Sequence, residues 1–204
     1  MQREHGPARR RLHRRSKPLA LPTPFDTTLT IICQYKTNAL GVIHSIRAFL
    51  PLLRAGHAKK IAVTASEGGN PAFVRTAGLA YMAAYGMTKG AAHVATNKWA
   101  VKLGPEGFVV ASLSPGLVDT TGTIGDAGDA AARKEVEHMA DEFRRRGFPT
   151  KILTPARSVE LLIKAIDKLS QKQNGRFLAP TLEASLGVVR GKILSVIGPY
   201  LMAA

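Results

Sequence analysis

A tyrosine and a lysine four residues apart, Tyr85 and Lys89, form the pair with the clearest chemical potential in this sequence. They lie in a stretch whose pattern predicts helix, and residues four apart share a helix face. A phenol with a pKa near 10 is too weak an acid for ready proton exchange at neutral pH. An ammonium about 4 Å away contributes on the order of 4 kcal/mol at an effective dielectric of 20. We therefore expect Lys89 to lower the pKa of Tyr85 markedly, so that the phenol can protonate an alkoxide or accept the proton of an alcohol.

Three further features stand in chain order around this pair. Asn38 begins an Asn-x-x-Gly run in an earlier helix, Ser66 ends a short apolar run, and residues 115–120 follow a second apolar run. Ligands of open parallel sheets bind at the carboxyl ends of the strands. We therefore expect Ser66, the Tyr85 helix and the turn at 115–120 to meet on one rim, with Ser66 holding a carbonyl oxygen by a hydrogen bond.

Each feature taken alone has an ordinary structural interpretation. Tyr85 and Lys89 fit a surface pair, and Ser66 fits a helix cap or a turn residue. Asn38 fits a polar residue of a helix surface, and Pro115–Gly116 fits a simple turn. The ordered conjunction of all four is what points to catalysis.

The elements that must position these residues alternate between helix and strand. Periodic apolar residues predict helices over 25–54, 83–103, 130–146 and 155–169. Short apolar runs predict strands over 60–66, 108–113 and 176–179. Residues 70–80 and 119–129 are expected to be loops. This order indicates an α/β fold with right-handed crossovers and a short parallel sheet of about three strands.

The same patterns predict which side chains face the core. The strand at 60–66 is expected to be buried on both faces. The inward side of the helix at 83–103 is expected to carry Ala84, Met87, Ala91, Val94, Ala95 and Leu103. The inward side of the helix at 155–169 is expected to carry Val159, Leu162, Ile163, Ile166 and Leu169.

The charge is strongly positive and unevenly placed. The formal net charge is +15, of which residues 1–17 contribute +6 and the other 187 residues +9. The basic arm at 1–17 is interpreted as a solvated, disordered terminus, with a phosphate-binding tail or an import sequence as the alternatives. Nucleic-acid binding is disfavoured because aromatic residues do not interleave with the arginines. The charge of the body suits an anionic, phosphate-bearing ligand.

Several classes of protein are excluded by composition. A single cysteine, Cys33, excludes an internal disulfide framework and favours a reducing compartment such as the cytoplasm. The six histidines lack ligand spacing, so no metal site is expected. The apolar stretch at 193–204 has 12 residues, too few to span a bilayer that needs about 20.

The quoted motifs together resemble the short-chain dehydrogenase/reductase family. The resemblance covers roughly residues 25–180 and is carried by four runs: Asn38–Gly41, Ile61–Ser66, Tyr85–Ala91 and Ser114–Thr120. It implies a Rossmann-like three-layer α/β fold and an oxidoreductase that uses NADP or NAD on a small-molecule carbonyl or alcohol. A homo-oligomer is left open.

The resemblance also implies a role for each matching residue. Tyr85 would be the acid/base, and Lys89 would lower its pKa and hold the nicotinamide ribose. Ser66 would position the substrate oxygen, and Asn38 would support a water that relays protons through the lysine.

The turn after the second strand would contact the cofactor in the same family pattern. Pro115 and Gly116 would touch the nicotinamide, Val118 would offer backbone groups to its carboxamide, and Thr120 would offer its hydroxyl. Tyr81 is expected to line a substrate loop at 70–80.

The sequence departs from the family pattern before Asn38, where no Gly-x-x-x-Gly-x-Gly run occurs. The later run Gly122-x-x-Gly125-x-x-Gly128 does not lead from a strand directly into a helix and is rejected as a phosphate cradle. We therefore expect a truncated Rossmann-like domain at 18–180 in which the strand Ile61–Ala65 has an unpaired edge. The segment that selects NAD or NADP is missing from the pattern, so the choice stays open.

Two function classes follow from this combination of match and departure. The first is an NAD(P)-dependent carbonyl reductase or alcohol dehydrogenase. The second is a catalytically inactive fragment or an interaction protein that cannot bind a dinucleotide. Residues 181–204 diverge from the family, and their apolar side chains are interpreted as a helix covering exposed surface or a partner.

Overall fold

Two parallel sheets organise the part of the chain that the computed structural model describes, residues 28–123 and 129–179. The larger sheet has the strand order β1-β2-β5 and contains β1 (Lys60–Thr64), β2 (Val109–Leu113) and β5 (Phe177–Leu178). The smaller sheet pairs β3 (Leu117–Val118) with β4 (Ile152–Leu153). The predicted α/β fold with a short parallel sheet of about three strands is confirmed. The β3–β4 pair was not predicted, because strands of two residues show no periodicity.

Six helices and one π turn complete the described residues. They are α1 (Thr28–Tyr35), a π turn (Lys36–Leu40), α2 (Gly41–Ala55), α3 (Pro71–Ala77), α4 (Ala83–Leu103), α5 (Asp129–Arg145) and α6 (Pro155–Lys168). Short 3-10 turns lie at Glu67–Gly69, Gly104–Glu106, Thr121–Thr123 and Gln171–Gln173. The predicted helices at 83–103, 130–146 and 155–169 agree with α4, α5 and α6. Thr154 caps α6 as its sequence position indicates, accepting a hydrogen bond from the Arg157 N–H at 3.2 Å.

The large sheet lies between two helical layers. On one face, a buried cluster joins α2, β1, β2 and the end of α4, and it is formed by Ile46, Leu50, Ile61, Val63, Ala100, Leu103, Phe108 and Val110. On the other face, α6 covers β2 and β5 through Val109, Ala111, Leu113, Ala165, Leu169 and Leu178. Every residue of β2 is therefore buried, as expected for the central strand of a three-layer fold.

Strand β1 is buried on one face only, so the prediction of burial on both faces is wrong. Ile61 and Val63 are buried against α2 and α4, whereas Ala62 and Thr64 are exposed. The reason is that the α6 cluster reaches β2 and β5 but contains no residue of β1. Within residues 28–123 and 129–179, β1 pairs with β2 alone.

The predicted buried side of α4 is correct for Ala84 and Leu103, which are buried, and wrong for two larger apolar residues. Met87 and Val94 are 66% and 58% exposed, and the buried residues recur every four positions: Ala84, Thr88, Ala92, Thr96 and Ala100. These side chains are small, so the helix backbone can lie close to its neighbours. The hydroxyl of Thr96 donates to the Ala92 carbonyl at 2.9 Å, which satisfies it within the helix.

The prediction for the inward side of α6 is wrong at two apolar residues. Val159 and Ile163 are exposed, Leu169 is buried, and Leu162 and Ile166 are partly buried. Ser158 and Ala165 supply the buried positions of the helix itself. On this helix, the hydrophobicity of a residue therefore predicts its burial less reliably than its position around the helix axis does.

The predicted loop at 70–80 contains a helix, α3. Its first turn has a standard start, because the Asn70 side chain accepts from the Ala72 N–H at 3.0 Å and Pro71 occupies the first helical position. Gly78 ends it at φ +60°, a conformation that glycine adopts without strain. The Asn-Pro start and the glycine stop were both visible in the sequence.

Three aromatic rings hold α3 against the end of α5. The Phe73 ring lies 5.4 Å from the Phe143 ring, edge to face, and 5.0 Å from the Phe148 ring. All three are buried, together with Ala77. This small second core packs α3, which follows Ser66, against the end of α5, which lies more than fifty residues further along the chain.

Some predictions fall outside the described residues. These are the basic arm at 1–17, residues 18–27, Gly125, Gly128 and the apolar segment at 181–204, so the division into 1–17, 18–180 and 181–204 stays a prediction. The helices that are described include none with both the length and the hydropathy needed to cross a membrane.

Replacing Phe73 by alanine should destabilise the protein by about 3 to 5 kcal/mol, because the change leaves a cavity between two other rings. Chemical denaturation of wild type and F73A measures the loss. The matched control is F49A, since Phe49 is 59% exposed and its loss should cost about 1 kcal/mol or less. Equal losses in the two variants would contradict the packing role of Phe73.

Candidate functional site

Ser66 stands at the carboxyl edge of the sheet, two residues after β1. Its Oγ accepts a hydrogen bond from the Gly68 N–H at 3.2 Å and so caps the 3-10 turn at Glu67–Gly69. The same side chain lies close enough to the phenol of Tyr85 on α4 to lower the pKa of that phenol. Ser66 therefore caps a turn, which is the ordinary structural role that its sequence position also fits, and its side chain lies beside Tyr85 as well.

Lys89 extends from α4 toward the same edge. Its ammonium donates to the Thr64 carbonyl at 3.2 Å and lies 5.6 Å from the centre of the Tyr85 ring. The structure thus brings together Ser66, Tyr85 and Lys89, as the helical spacing and the position of the strand end predict.

Asn38 lies in the π turn between α1 and α2, not in a regular helix. Its Nδ2 donates to Thr88 Oγ1 at 3.0 Å, and that hydroxyl donates to the Tyr85 carbonyl at 2.8 Å. Asn38 is thereby tied to the turn of α4 that carries the tyrosine. π turns occur frequently at functional sites. The sequence patterns do not predict a role for Thr88, although its hydroxyl stands beside Lys89 on a mostly apolar helix.

Glycines allow the turn at Glu67–Gly69 to touch the backbone of α4. A Cβ on Gly69 would lie 2.5 Å from the Gly90 nitrogen, and a Cβ on Gly86 would lie 2.6 Å from the Gly68 carbonyl oxygen. Neither position tolerates a side chain without movement. Because Gly86 and Gly90 flank Tyr85 and Lys89 on α4, the close approach sets how near Ser66 lies to both.

The electrostatics of the pair differ from the expectation. Burial raises the pKa of Tyr85, the hydrogen bond with Ser66 lowers it, and the nearby Glu67 charge raises it again, with a net increase. Burial also lowers the pKa of Lys89. The prediction that Lys89 brings the Tyr85 pKa toward neutrality is therefore wrong for this structure. Burial has the largest effect on the phenol, while the ammonium lies beside the ring face and is bound to the Thr64 carbonyl.

The turn at Pro115–Gly116 follows β2 and is held from two sides. The buried Ser114 hydroxyl donates to Glu67 Oε2 at 2.6 Å and accepts from the Gly116 N–H at 3.2 Å. The Pro115 carbonyl accepts from the Ser158 hydroxyl of α6 at 2.8 Å. Gly116 has φ +79°, which explains the glycine at this position. Sequence reasoning missed Glu67 and Ser158, since neither belongs to a motif.

Val118 and Thr120 continue from this turn. Val118 belongs to β3 and lies opposite Leu153 of β4, and the Asp119 N–H donates to the Leu153 carbonyl at 2.9 Å. Thr120 follows as an exposed residue. Their predicted contacts with a cofactor stay predictions.

A groove of about 450 Å³ lies between α2 and β1, and Lys89 of α4 also lines it. Its polar end is lined by Asn38, Thr64 and Lys89, and its apolar end by Phe49 and Leu53. A hydroxyl, an amide and an ammonium that converge at one end suit a ribose and an amide, so these residues fit the nicotinamide end of a dinucleotide. For the pyrophosphate of a dinucleotide, the given sequence contains no Gly-x-x-x-Gly-x-Gly run before Asn38.

Replacing Gly69 by alanine should displace the Ser66 turn from α4 and destabilise the protein by about 1 to 3 kcal/mol, as overpacking does. Thermal unfolding of G69A against wild type measures this. The control is G122A, because a Cβ on Gly122 would meet nothing within 4 Å. A melting temperature for G69A equal to that of G122A would show that the contact is not tight.

Comparison with known proteins places the chain in a family. Residues 30–153 match the family model described as enoyl-(acyl carrier protein) reductase. The chain is 38% identical over 144 residues to the short-chain dehydrogenase/reductase atnB of an Arthrinium species, a match that covers 70% of this chain and 53% of that protein. It is 34% identical over 144 residues to an uncharacterized oxidoreductase of Schizosaccharomyces pombe, with the same coverage. The chain thus spans about half the length of the curated relatives it matches.

Solved structures share the fold. The NADPH-bound carbonyl reductase from chicken fatty liver superposes with a TM-score of 0.59 at 20% identity, covering 80% of this chain and 60% of that one. An NADPH-bound short chain oxidoreductase of Pseudomonas aeruginosa PAO1 superposes with a TM-score of 0.56 at 19% identity, covering 78% and 60%. With the motifs, the sheet and these matches in agreement, the chain belongs to the short-chain dehydrogenase/reductase family of oxidoreductases.

Proposed function

We propose that this chain interconverts a carbonyl and an alcohol with NADP or NAD as cofactor. The observation that carries the proposal is the convergence of Ser66, Tyr85 and Lys89 at the carboxyl end of β1. The Ser66 side chain lowers the pKa of the Tyr85 phenol, and the Lys89 ammonium lies 5.6 Å from the centre of the Tyr85 ring. When bound, a reduced nicotinamide supplies a hydride ion to the carbonyl carbon and is itself oxidised.

Tyr85 supplies the proton in this proposal. The Ser66 hydroxyl holds the substrate oxygen, the proton moves from Tyr85 Oη to that oxygen, and a C–OH group results. The raised pKa means that Tyr85 is protonated at neutral pH and so carries the proton that this step requires.

Lys89 and Asn38 prepare the tyrosine for this step. The Lys89 ammonium lies where it attracts the negative charge that forms on the phenol oxygen as the proton leaves. Asn38 reaches the carbonyl of Tyr85 through Thr88 and so fixes the turn of α4 that carries it. A water relay through Asn38 and Lys89 is part of the proposal.

Pro115, Gly116, Val118 and Thr120 are proposed to contact the nicotinamide end of the cofactor. Their support is the turn geometry, with Gly116 at φ +79° and the turn fixed by Ser114 and Ser158. NADPH is the first cofactor to test, because two solved structures of the same fold hold it.

A second candidate function is an interaction protein without dinucleotide binding. The observation in its favour is the edge of β1, which pairs with β2 alone among the described strands. Calorimetric titration with NADPH and NADH separates the two candidates. The absence of binding at millimolar cofactor would favour the second.

Two further proposals concern the setting of the protein. A cytoplasmic location rests on the single cysteine, Cys33, which is exposed and free. A homo-oligomer rests on apolar side chains exposed along α2 and α4: Phe49, Leu52, Met87, Val94 and Val101.

Replacing Tyr85 by phenylalanine should lower kcat for NADPH-dependent carbonyl reduction by about 100-fold or more, because the proton donor is lost. Cofactor oxidation followed at 340 nm measures the rate. The control is Y35F, which removes a hydroxyl from an exposed tyrosine of α1 and should leave the rate unchanged. A Y85F rate near that of wild type would refute the role of Tyr85.

Absorbance titration should place the ionisation of Tyr85 above pH 10. Since burial favours the neutral phenol, the phenolate forms at higher pH in the folded protein than in a free tyrosine, whose pKa is about 10. The difference between the wild-type and Y85F titrations isolates this group. A component with a midpoint below pH 9 would contradict the raised pKa.

A further inference from the structure

The Glu67 carboxylate lies between the two segments that flank the site, the turn at Glu67–Gly69 and the turn at Pro115–Gly116. We propose that Glu67 is a positioning residue: through Ser114 it fixes the Pro115–Gly116 turn to the Ser66 turn, so that the substrate-holding hydroxyl and the cofactor-facing backbone keep one relative placement. Only the expected effect on cofactor binding rests on the proposed function.

The direction of the hydrogen bonds is determined by chemistry. A carboxylate only accepts hydrogen bonds, and a serine hydroxyl has a single hydrogen to donate. The Ser114 hydrogen therefore points to Glu67 Oε2, at 2.6 Å, and its lone pairs face the Gly116 N–H, at 3.2 Å. Because Ser114 is fully buried, losing the acceptor leaves a donor without a partner in a place where that is costly.

Glu67 itself has little freedom to move. It begins the 3-10 turn capped by Ser66, and the next two residues of that turn contact α4, where Gly68 meets Gly86 and Gly69 meets Gly90. The position of this turn is therefore fixed by its contact with α4, the helix that carries Tyr85 and Lys89.

Ser158 completes the arrangement from the opposite layer. It is buried, and its hydroxyl donates to the Pro115 carbonyl at 2.8 Å. Pro115 is thus held by α6, and Gly116 is held by α4 through Ser114 and Glu67. The Pro115–Gly116 turn is therefore held from both helical layers. Its connection to the Ser66 turn consists of the Ser114–Glu67 hydrogen bond and, one residue before Ser66 and before Ser114, the backbone hydrogen bond from the Ala65 N–H to the Leu113 carbonyl at 2.8 Å.

The Glu67 charge also acts on the site, since it contributes to the raised pKa of Tyr85, while Lys89 faces the ring of the same residue. A glutamine at position 67 would keep an oxygen acceptor for Ser114 and remove this charge. The pair of variants E67Q and E67A therefore separates the hydrogen bond from the charge.

Hydrogen exchange of the peptide that covers residues 114–118 tests the proposal without any cofactor. In E67A we expect exchange of this peptide to accelerate roughly tenfold, the scale of one lost hydrogen bond to a charged group. E67Q should stay near wild type. The control is E106Q, which removes a carboxylate paired with Arg54 at 2.7 Å, ahead of the amino end of β2. Equal exchange in E67A and E106Q would overturn the proposal, as would equal acceleration in E67Q and E67A.

The variant S114A and the double variant E67A/S114A give a second route, which also applies if E67A folds poorly. If Glu67 acts through Ser114, the double variant should exchange no faster than either single variant, because residues that act through one contact are not additive. Additive acceleration would contradict the pathway.

Fluorescence titration with NADPH adds the functional readout. The dissociation constant should rise roughly tenfold in E67A and be restored in E67Q, since only the first loosens the turn. If wild type binds no NADPH while the exchange results hold, the proposed function fails and the positioning role of Glu67 stands. If wild type binds NADPH and E67A binds it equally well, the positioning role fails alone.

Discussion

The close approach of the turn at Glu67–Gly69 to the backbone of α4 is the constraint on which the rest of the site depends. Glycines lie on both sides of the contact, Gly68 and Gly69 in the turn and Gly86 and Gly90 in the helix. Since the helix glycines directly follow Tyr85 and Lys89, the contact places a serine, a phenol and an ammonium together without any flexible linker. The proposed chemistry therefore depends on the close contact between these two backbone segments.

The three layers of the fold hold the segments on either side of this contact in place. Small residues at every fourth position bring α4 close to its neighbours, and the fully buried strand β2 separates α4 from α6. Each layer then supplies one support to the rim: α4 supports the Ser66 turn, and α6 supports Pro115 through Ser158. The aromatic cluster around Phe73 ties down the segment that leaves the site.

Much of this could be predicted from the sequence, and the exceptions have identifiable physical causes. The strands, the long helices and the grouping of Ser66, Tyr85 and Lys89 follow from local periodicity and from where parallel strands end. The orientation of Met87 and Val94 did not follow, because hydropathy ranks them above the alanines and threonines whose small size decides the packing. The pKa of Tyr85 did not follow either, since burial is a property of the whole fold. Glu67, Thr88 and Ser158 act through contacts between segments distant in sequence, which no local pattern reveals.

The π turn at Lys36–Leu40 has a consequence for how the first helix is built. A π turn accommodates one more residue than an α turn, and each residue of an α-helix advances by about 100° around the axis. The side chains of α1 are therefore rotated by roughly that angle relative to a continuous α-helix through α2. None of the residues of α1 is buried, whereas Ile46 and Leu50 of α2 are buried. The π turn that carries Asn38, the partner of Thr88, therefore also sets the rotation of α1 relative to α2.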